Sequence, residues 1–329
     1  MNKALIVGCG KIAGGNLTGD LNTHGGAIKN QKRIYLAGAL DSDLERAKKF
    51  CLHYKCTAFD NLQQALAEVK PDLVSICTPD WTHFEICLQT LSSRFAPRVI
   101  FLEKPVCYSQ AEYYQLRELA EERRVKVIVN HTRRFDNRYS AIRDLIKSRL
   151  YGGLHRINAV YYGGWFHNGT HIVDTLLYLT DDHIKWNSGG ARIDSQNVSD
   201  PSIELTGRLA NTNASVVVSA ISEDYYQLFE FDLWFESARL RIENFGSRIY
   251  LESVMQNAAG ERILQKIKTY ANRTKRTEMQ IAIDLICNYL EHGIETQLDK
   301  VSLRDALPTM ENLWGGYEAV DHRRVSDEH

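Results

Sequence analysis

Four stretches of this sequence carry side chains whose type and spacing could do chemistry. Gly8-Cys9-Gly10-Lys11-Ile12-Ala13 directly follows an apolar run at residues 4–7. A G-x-G-x-x-A turn after a strand lets backbone amides approach a pyrophosphate at a helix N-terminus. Gly8 permits the tight turn, Gly10 removes the side chain nearest the phosphates, and Ala13 lets a helix pack closely on the strand. Asp41 ends a second apolar run at residues 34–40 and suits the acid that accepts from a ribose 2′-hydroxyl. A carboxylate repels a 2′-phosphate, so NAD is expected. Lys48 and Lys49 lie far along the following helix, and NADP stays open. Capping of the helix that begins near Asp43 is the other reading of Asp41. Glu103-Lys104-Pro105-Val106 closes a fourth run, residues 99–102, at a strand's C-terminal end, where open α/β sheets hold ligands. A surface lysine in a turn is the plainer reading of Lys104. The fourth stretch is residues 164–174. There His167, His171 and Asp174 are spaced i, i+4, i+7 and share one face if helical geometry extends back that far. Asp174 would then orient the His171 imidazole, whose plainer reading is a satisfied core histidine. The His167–His171 spacing also suits a helical zinc pair. No Glu lies between them and no further ligand is evident, so no metal is expected.

The elements that must position these groups change character half-way. Residues 4–7, 34–40, 73–77, 99–102 and 125–129 are apolar runs, and helical patterns at 43–51, 82–91 and 110–124 separate them. Such alternation gives a parallel sheet covered on both faces. A polar stretch at residues 16–31, with Thr23-His24-Gly25-Gly26, lengthens the usual spacing between the glycine turn and the acid. It reads either as a cover over a ligand or as a plain surface loop. Beyond residue 150, strand patterns at 155–163, 202–209, 214–219, 228–235, 238–244 and 247–252 follow one another with short turns, as in an antiparallel or mixed sheet. A helix is expected at 169–179, and closing helices at 277–292 and 302–319, the last with a capping start at Ser302 and Asp305. The basic segment 265–276 reads as a solvated helix or loop, with a phosphate contact as the alternative, and residues 325–329 as a frayed tail.

Composition bounds the partners. The chain has 329 residues, about two domains' worth, and 40 basic against 41 acidic residues. That balance argues against a nucleic-acid partner. No apolar run approaches the ~18 residues of a membrane span, and no signal segment is visible. Seven cysteines without a C-x-x-C pair read as reduced thiols in a cytoplasmic protein. The sequons at Asn16, Asn168, Asn197, Asn213 and Asn272 are then chance matches.

Taken in order, the Gly8 loop, Cys77-Thr78-Pro79-Asp80-Trp81-Thr82-His83, Glu103-Lys104-Pro105 and the segment 164–174 resemble the glucose–fructose oxidoreductase, inositol dehydrogenase and rhizopine catabolism family. The resemblance runs from Ala4 to about Ala319. It implies a Rossmann dinucleotide-binding domain at residues 1–125. Residues 126–329 would form an α/β domain with a large open, mostly antiparallel sheet that binds substrate and pairs subunits as a homodimer or homotetramer. It implies NAD or NADP and hydride transfer at a sugar or cyclitol carbon. Thr78, Pro79 and His83 match the family segment lining the nicotinamide side. Glu103 matches the acid that contacts the nicotinamide ribose, Lys104 the catalytic lysine, and His171 the catalytic histidine.

This chemistry suits the residue types, since a carbinol needs a base for its proton and a donor for the developing oxyanion. Burial and an oxidised nicotinamide would both lower the pKa of Lys104. Where the family pattern has an aspartate four residues before the histidine, this chain has His167. A histidine cannot copy a permanent carboxylate, so it either shares proton transfer or contacts substrate. The pattern His167-Asn168-Gly169-x-His171 resembles branches acting in surface-polysaccharide and unusual-sugar synthesis, which points to a nucleotide sugar. Asn168 and Asp174 face the substrate in this reading. Arg133 or Arg134 binds an anionic group or forms an interdomain salt bridge, and Trp165 and Tyr162 stack on a sugar or fill a core. Two alternatives remain: glycoside cleavage through transient oxidation and elimination, and a non-catalytic nicotinamide sensor.

Overall fold

A computed structural model describes residues 1–193, 199–272, 275–295 and 298–321. The Asn197 sequon, Arg273 of the basic segment and the expected tail lie outside the described residues. The chain divides into two compact units, one of residues 1–135 and 274–307, the other of 136–273 and 308–329.

The first unit is built on a six-stranded parallel sheet. Its spatial order is Thr57–Phe59, Ile34–Leu40, Asn2–Val7, Leu73–Ile76, Val99–Leu102, Lys126–Val129. Ala4 to Val7 and Val99 to Leu102 are all fully buried. Burial on both faces is why these strands read as unbroken apolar runs rather than alternating patterns. The strand order reverses between Asn2–Val7 and Leu73–Ile76, and such a switch point opens a crevice at the strands' C-terminal ends. The boundary falls after Phe135 rather than after residue 125, because Lys126–Val129 is the sixth strand of this sheet. Residues 274–307 also return to this unit. The helix Glu278–His292 starts in a capping box between Thr277 and Gln280. It packs Met279, Ala282, Ile283, Ile286, Cys287 and Leu290 into the same core as Ala4, Ile6 and Phe101.

The second unit carries a nine-stranded sheet. Along it run Arg262–Thr269, Arg248–Gln256, Ala238–Glu243, Glu230–Phe235, Leu154–Tyr162, Ser215–Ile221, Ser202–Leu209 and Ile184–Trp186, with Ala191–Ile193 also paired to Ser202–Leu209. Leu154–Tyr162 pairs parallel with Ser215–Ile221, and the other pairs are antiparallel. In Ala238–Glu243 the residues Ala238, Leu240 and Ile242 are buried, alternating with Arg239, Arg241 and Glu243. That is the period of a sheet packed on one face. The helix Thr170–Thr180 is buried at every position from Ile172 to Leu179.

Three sequence expectations change here. The basic segment begins as an edge strand, Arg262–Thr269, with all eight residues exposed. Backbone pairing to Arg248–Gln256 holds it, and Lys266 and Lys268 lie over the Tyr250 and Tyr270 rings. Residues 16–31 are no plain loop, for they contain the helix His24–Lys29, capped by Thr23. The helix Asn137–Ser148 was not expected, since it buries just Tyr139 and Ile142.

Candidate active site

The glycine turn leaves the first strand at the switch point. Gly8 has φ +90°, and a Cβ there would sit 2.8 Å from the backbone of Cys77 and Thr78. The loops after the first and fourth strands therefore touch, and glycine alone allows it. A Cβ on Gly10 would meet open space. Lys11 and Ile12 are exposed beside it. The sequence led us to expect a helix directly after this turn. Instead residues 11–16 are turns, and the His24 and Gly25 amides donate to the Ile12 and Ala13 carbonyls.

Asp41 is buried against the turn. Its Oδ2 accepts from the Cys9 amide at 2.8 Å and its Oδ1 from the Asp43 amide at 3.0 Å. It is not the cap of the next helix, because Asp43 itself accepts from the Glu45 and Arg46 amides. Arg46 Nη1 lies 3.5 Å from Asp41 Oδ1, a cation that sequence reasoning passed over in favour of Lys48 and Lys49. Burial, with Asp41 beside it, pushes the Cys9 thiol far up and keeps it protonated.

Thr78, Pro79 and His83 gather after the fourth strand. His83 is buried, with Nδ1 2.6 Å from the Pro105 carbonyl oxygen and Nε2 3.0 Å from that of Thr78. Burial pushes its imidazole below the usual range despite the opposing carbonyls. Both nitrogens face backbone, so His83 ties the Thr78 loop to Pro105 and is not itself a polar cofactor contact. The Thr82 hydroxyl donates to the Thr78 hydroxyl, and Pro79 is exposed.

Glu103 and Lys104 follow the fifth strand, and the Lys104–Pro105 peptide is cis. Glu103 is buried, and its Oε1 lies 2.9 Å from His24 Nε2 and 2.6 Å from Asn130 Nδ2. Burial raises its carboxyl, but the His24 and Asn130 hydrogen bonds and the adjacent Lys104 outweigh it and hold the pKa below the ordinary value. Lys104 is half-buried. His24 and Asn130 are the partners a local reading cannot assign, as their role exists solely through Glu103. Arg134 reaches two backbone carbonyls of its own unit. Its Nη1 donates to the Lys300 carbonyl at 2.7 Å and its Nη2 approaches that of Asp305.

In the second unit, helical geometry does extend back over His167, as a π-turn from Trp165 to Gly169 that runs on into Thr170–Thr180. Turns of this kind are frequent at functional sites. Asp200 caps it, accepting from the Phe166 and His167 amides at 2.8 Å each. A Cβ on Gly164 would stand 2.2 Å from the Asp200 carboxylate, so that approach needs a glycine. His167 is exposed and His171 half-buried, its ring 6.2 Å from that of Phe229, edge to face. Asn168 is buried and lies beside the Tyr162 hydroxyl. Asp174 is buried and accepts from the Thr309 hydroxyl at 3.0 Å, a tether on the carboxylate expected to orient His171. Trp165 is corrected outright. It is 0% exposed, donates to the Leu313 carbonyl and packs against Trp186, so it fills the core and does not stack on a sugar.

Residues 2–131 match the model of an oxidoreductase family with an NAD-binding Rossmann fold. The match covers less than half of the chain. A curated relative of the chain, UDP-N-acetylglucosamine 3-dehydrogenase of Acidithiobacillus ferrooxidans, is 33% identical over 99 residues, which are 30% of each protein. Another, the NADP(+) scyllo-inositol 2-dehydrogenase IolW of Bacillus subtilis, is 30% identical over 129 residues, 33% of this chain and 34% of the relative. The chain thus matches a minor part of these relatives. A solved structure, a putative NADPH-dependent oxidoreductase from Desulfitobacterium hafniense, superposes with a TM-score of 0.80 over 98% of this chain and 96% of its own at 15% identity, which speaks for the fold. Among the described residues no helix is long and apolar enough to cross a membrane.

The residues of the first unit fit a dinucleotide. The path above Gly10 is open, the Gly8 turn lies at the switch point, and Asp41 flanks it.

Proposed function

We propose that this chain is an NAD(P)-dependent oxidoreductase that moves a hydride between nicotinamide and a ring hydroxyl or ketone of a sugar, with a nucleotide sugar preferred. What carries the reading is Lys104, half-buried at a strand end of the dinucleotide fold beside an ionised, buried Glu103. When bound, the nicotinamide supplies the hydride acceptor or donor. Gly8, Gly10, Lys11, Ile12 and Asp41 hold the dinucleotide, with Thr78 and Pro79 at the nicotinamide end. Glu103 uses Oε1 for His24 and Asn130, which leaves Oε2 to accept from a ribose hydroxyl. Lys104 takes the substrate hydroxyl proton on oxidation and returns it on reduction. His171 exchanges a proton with the substrate, and His167 and Asn168 contact it. The likeness to UDP-N-acetylglucosamine 3-dehydrogenase supports the nucleotide sugar. A cytoplasmic homodimer or homotetramer joined through the open sheet, serving surface-polysaccharide or modified-sugar metabolism, completes the proposal.

The test offers free and nucleotide sugars with NAD and NADP, and the matching keto sugars with NADH and NADPH. Absorbance of the reduced nicotinamide is followed. A net change with at least one sugar is expected. Sugar cleavage without net change in cofactor supports oxidation and elimination instead. Cofactor binding with neither absorbance change nor product overturns enzymatic function.

A further inference from the structure

The turn joining Ala238–Glu243 to Arg248–Gln256 holds an aromatic ring where turn chemistry calls for a small residue. Asn244 and Phe245 have φ +48° and +56°, and Gly246 has φ +86°. Successive left-handed residues suit a tight hairpin of the right twist, but Asn and Gly fill such positions, and a bulky residue there is an outlier. Phe245 is nonetheless 44% exposed, so core packing does not explain it.

Its surroundings over-determine its place. The Phe245 amide donates to the Phe229 carbonyl, and Arg138 Nη1 donates to the Gly246 carbonyl at 2.8 Å. The same guanidinium is forked onto Asp136 through Nε and Nη2. The Phe245 ring stacks on Phe229 at 6.1 Å and 17° and meets Tyr162 edge-on at 6.1 Å. Phe229 in turn meets His171 edge-on, and Tyr162 lies beside Asn168. An exposed ring in a costly backbone conformation thus ends a run of aromatics that leads to the candidate catalytic histidine. Local strain of this kind persists where the surroundings enforce it and is concentrated at functional sites.

We infer that Phe245 is a substrate-binding residue, a platform for the C–H face of a pyranose or cyclitol ring. Axial C–H bonds carry partial positive charge and meet the negative face of an aromatic ring, while equatorial hydroxyls point outward to the rim. The inference rests on the sugar-oxidoreductase reading above and names the ring face that the site selects.

The experiment compares the full-length wild type with Phe245→Gly, Phe245→Asn and Phe245→Tyr. Glycine and asparagine tolerate the left-handed turn, so both variants should unfold at or above the wild-type temperature. With the best sugar of the panel their KM should rise about tenfold with little change in kcat, the size expected for one aromatic contact. Phe245→Tyr should keep the wild-type KM, and NAD affinity should be the same in all four proteins. Saturation-transfer NMR with glucose and UDP-N-acetylglucosamine gives a readout independent of turnover. Ring C–H protons should receive saturation from wild type and Phe245→Tyr, and much less from Phe245→Gly. Unchanged KM and unchanged saturation transfer in Phe245→Gly overturn the platform and leave the ring to contacts between copies of the chain. Equal losses in Phe245→Tyr and Phe245→Gly overturn it too. If wild type turns over no sugar, the oxidoreductase reading fails, and saturation transfer decides the platform separately.

Discussion

His24 Nε2 lies 2.9 Å from Glu103 Oε1, and His24 is 0% exposed. The stretch between the glycine turn and the second strand thus reaches under the dinucleotide site, where it fixes the carboxylate beside Lys104. A buried carboxylate without such donors would drift toward its protonated form.

Replacing His24 by Ala should therefore destabilise the protein by about 2 kcal/mol at pH 7, the size of a hydrogen bond to a charged group. The sign of the pH dependence follows from the depressed pKa of Glu103 in the fold. Its ionisation stabilises the folded chain above the ordinary carboxyl value of 4.5, and that contribution is lost as pH falls through the lower, folded value. Urea unfolding of wild type and variant should give curves far apart at pH 7 that converge as pH drops below that range. A gap constant with pH would show that His24 acts by packing alone.

Lys104→Ala should lower turnover at least ~100-fold, the usual weight of general acid–base catalysis. The side chain is half-buried and its removal leaves the Gly8 turn and Asp41 untouched, so NAD binding by calorimetry should be nearly unchanged. A loss of binding that matches the loss of rate would make Lys104 a cofactor ligand rather than the proton carrier.

Much of this was legible in the sequence, and the gaps have physical causes. Residues 4–7, 73–76 and 99–102 read as parallel strands because burial on both faces leaves no polar alternation. Thr57–Phe59 escaped notice because it is three residues long with just Phe59 buried. Lys104 and His171 stood out by their neighbours in sequence. Their supports did not, since His24 lies 79 residues from Glu103 and Asp200 lies 33 from His167. Trp165 misled for the opposite reason. An aromatic beside a candidate catalytic histidine looks like a sugar platform, yet the turn aims it inward to the Leu313 carbonyl, while Phe245 on a distant hairpin has an exposed ring.

Asp41 and Arg46 should set the choice between NAD and NADP. Asp41 is buried with its Oδ2 on the Cys9 amide, while Arg46 is 55% exposed with Nη1 3.5 Å from Oδ1. Asp41→Asn keeps an oxygen for the amide but removes the charge that repels a 2′-phosphate, and it leaves Arg46 unneutralised. The ratio of the NADP to the NAD dissociation constant should fall about tenfold, a change of roughly 1.4 kcal/mol. Adding Arg46→Ala should reverse most of the shift. Titrations with both cofactors measure it, and an unchanged ratio would exclude this pair from the choice.

Asp200 holds the π-turn that carries His167 and runs on into the helix of His171. Its two oxygens accept from the Phe166 and His167 amides, donors that the helix itself leaves unpaired. Asp200→Ala should destabilise the chain by about 1–2 kcal/mol, as the loss of a helix cap does. Asp200→Asn retains one acceptor oxygen and should recover part of that. Catalysis should suffer beyond the stability change, because the turn sets the direction of both histidines. Well below the melting temperature, kcat of Asp200→Ala should fall about tenfold while NAD affinity holds, since the cofactor residues belong to the first unit. A variant that melts earlier yet turns over like wild type at 20 °C would make Asp200 a purely structural cap.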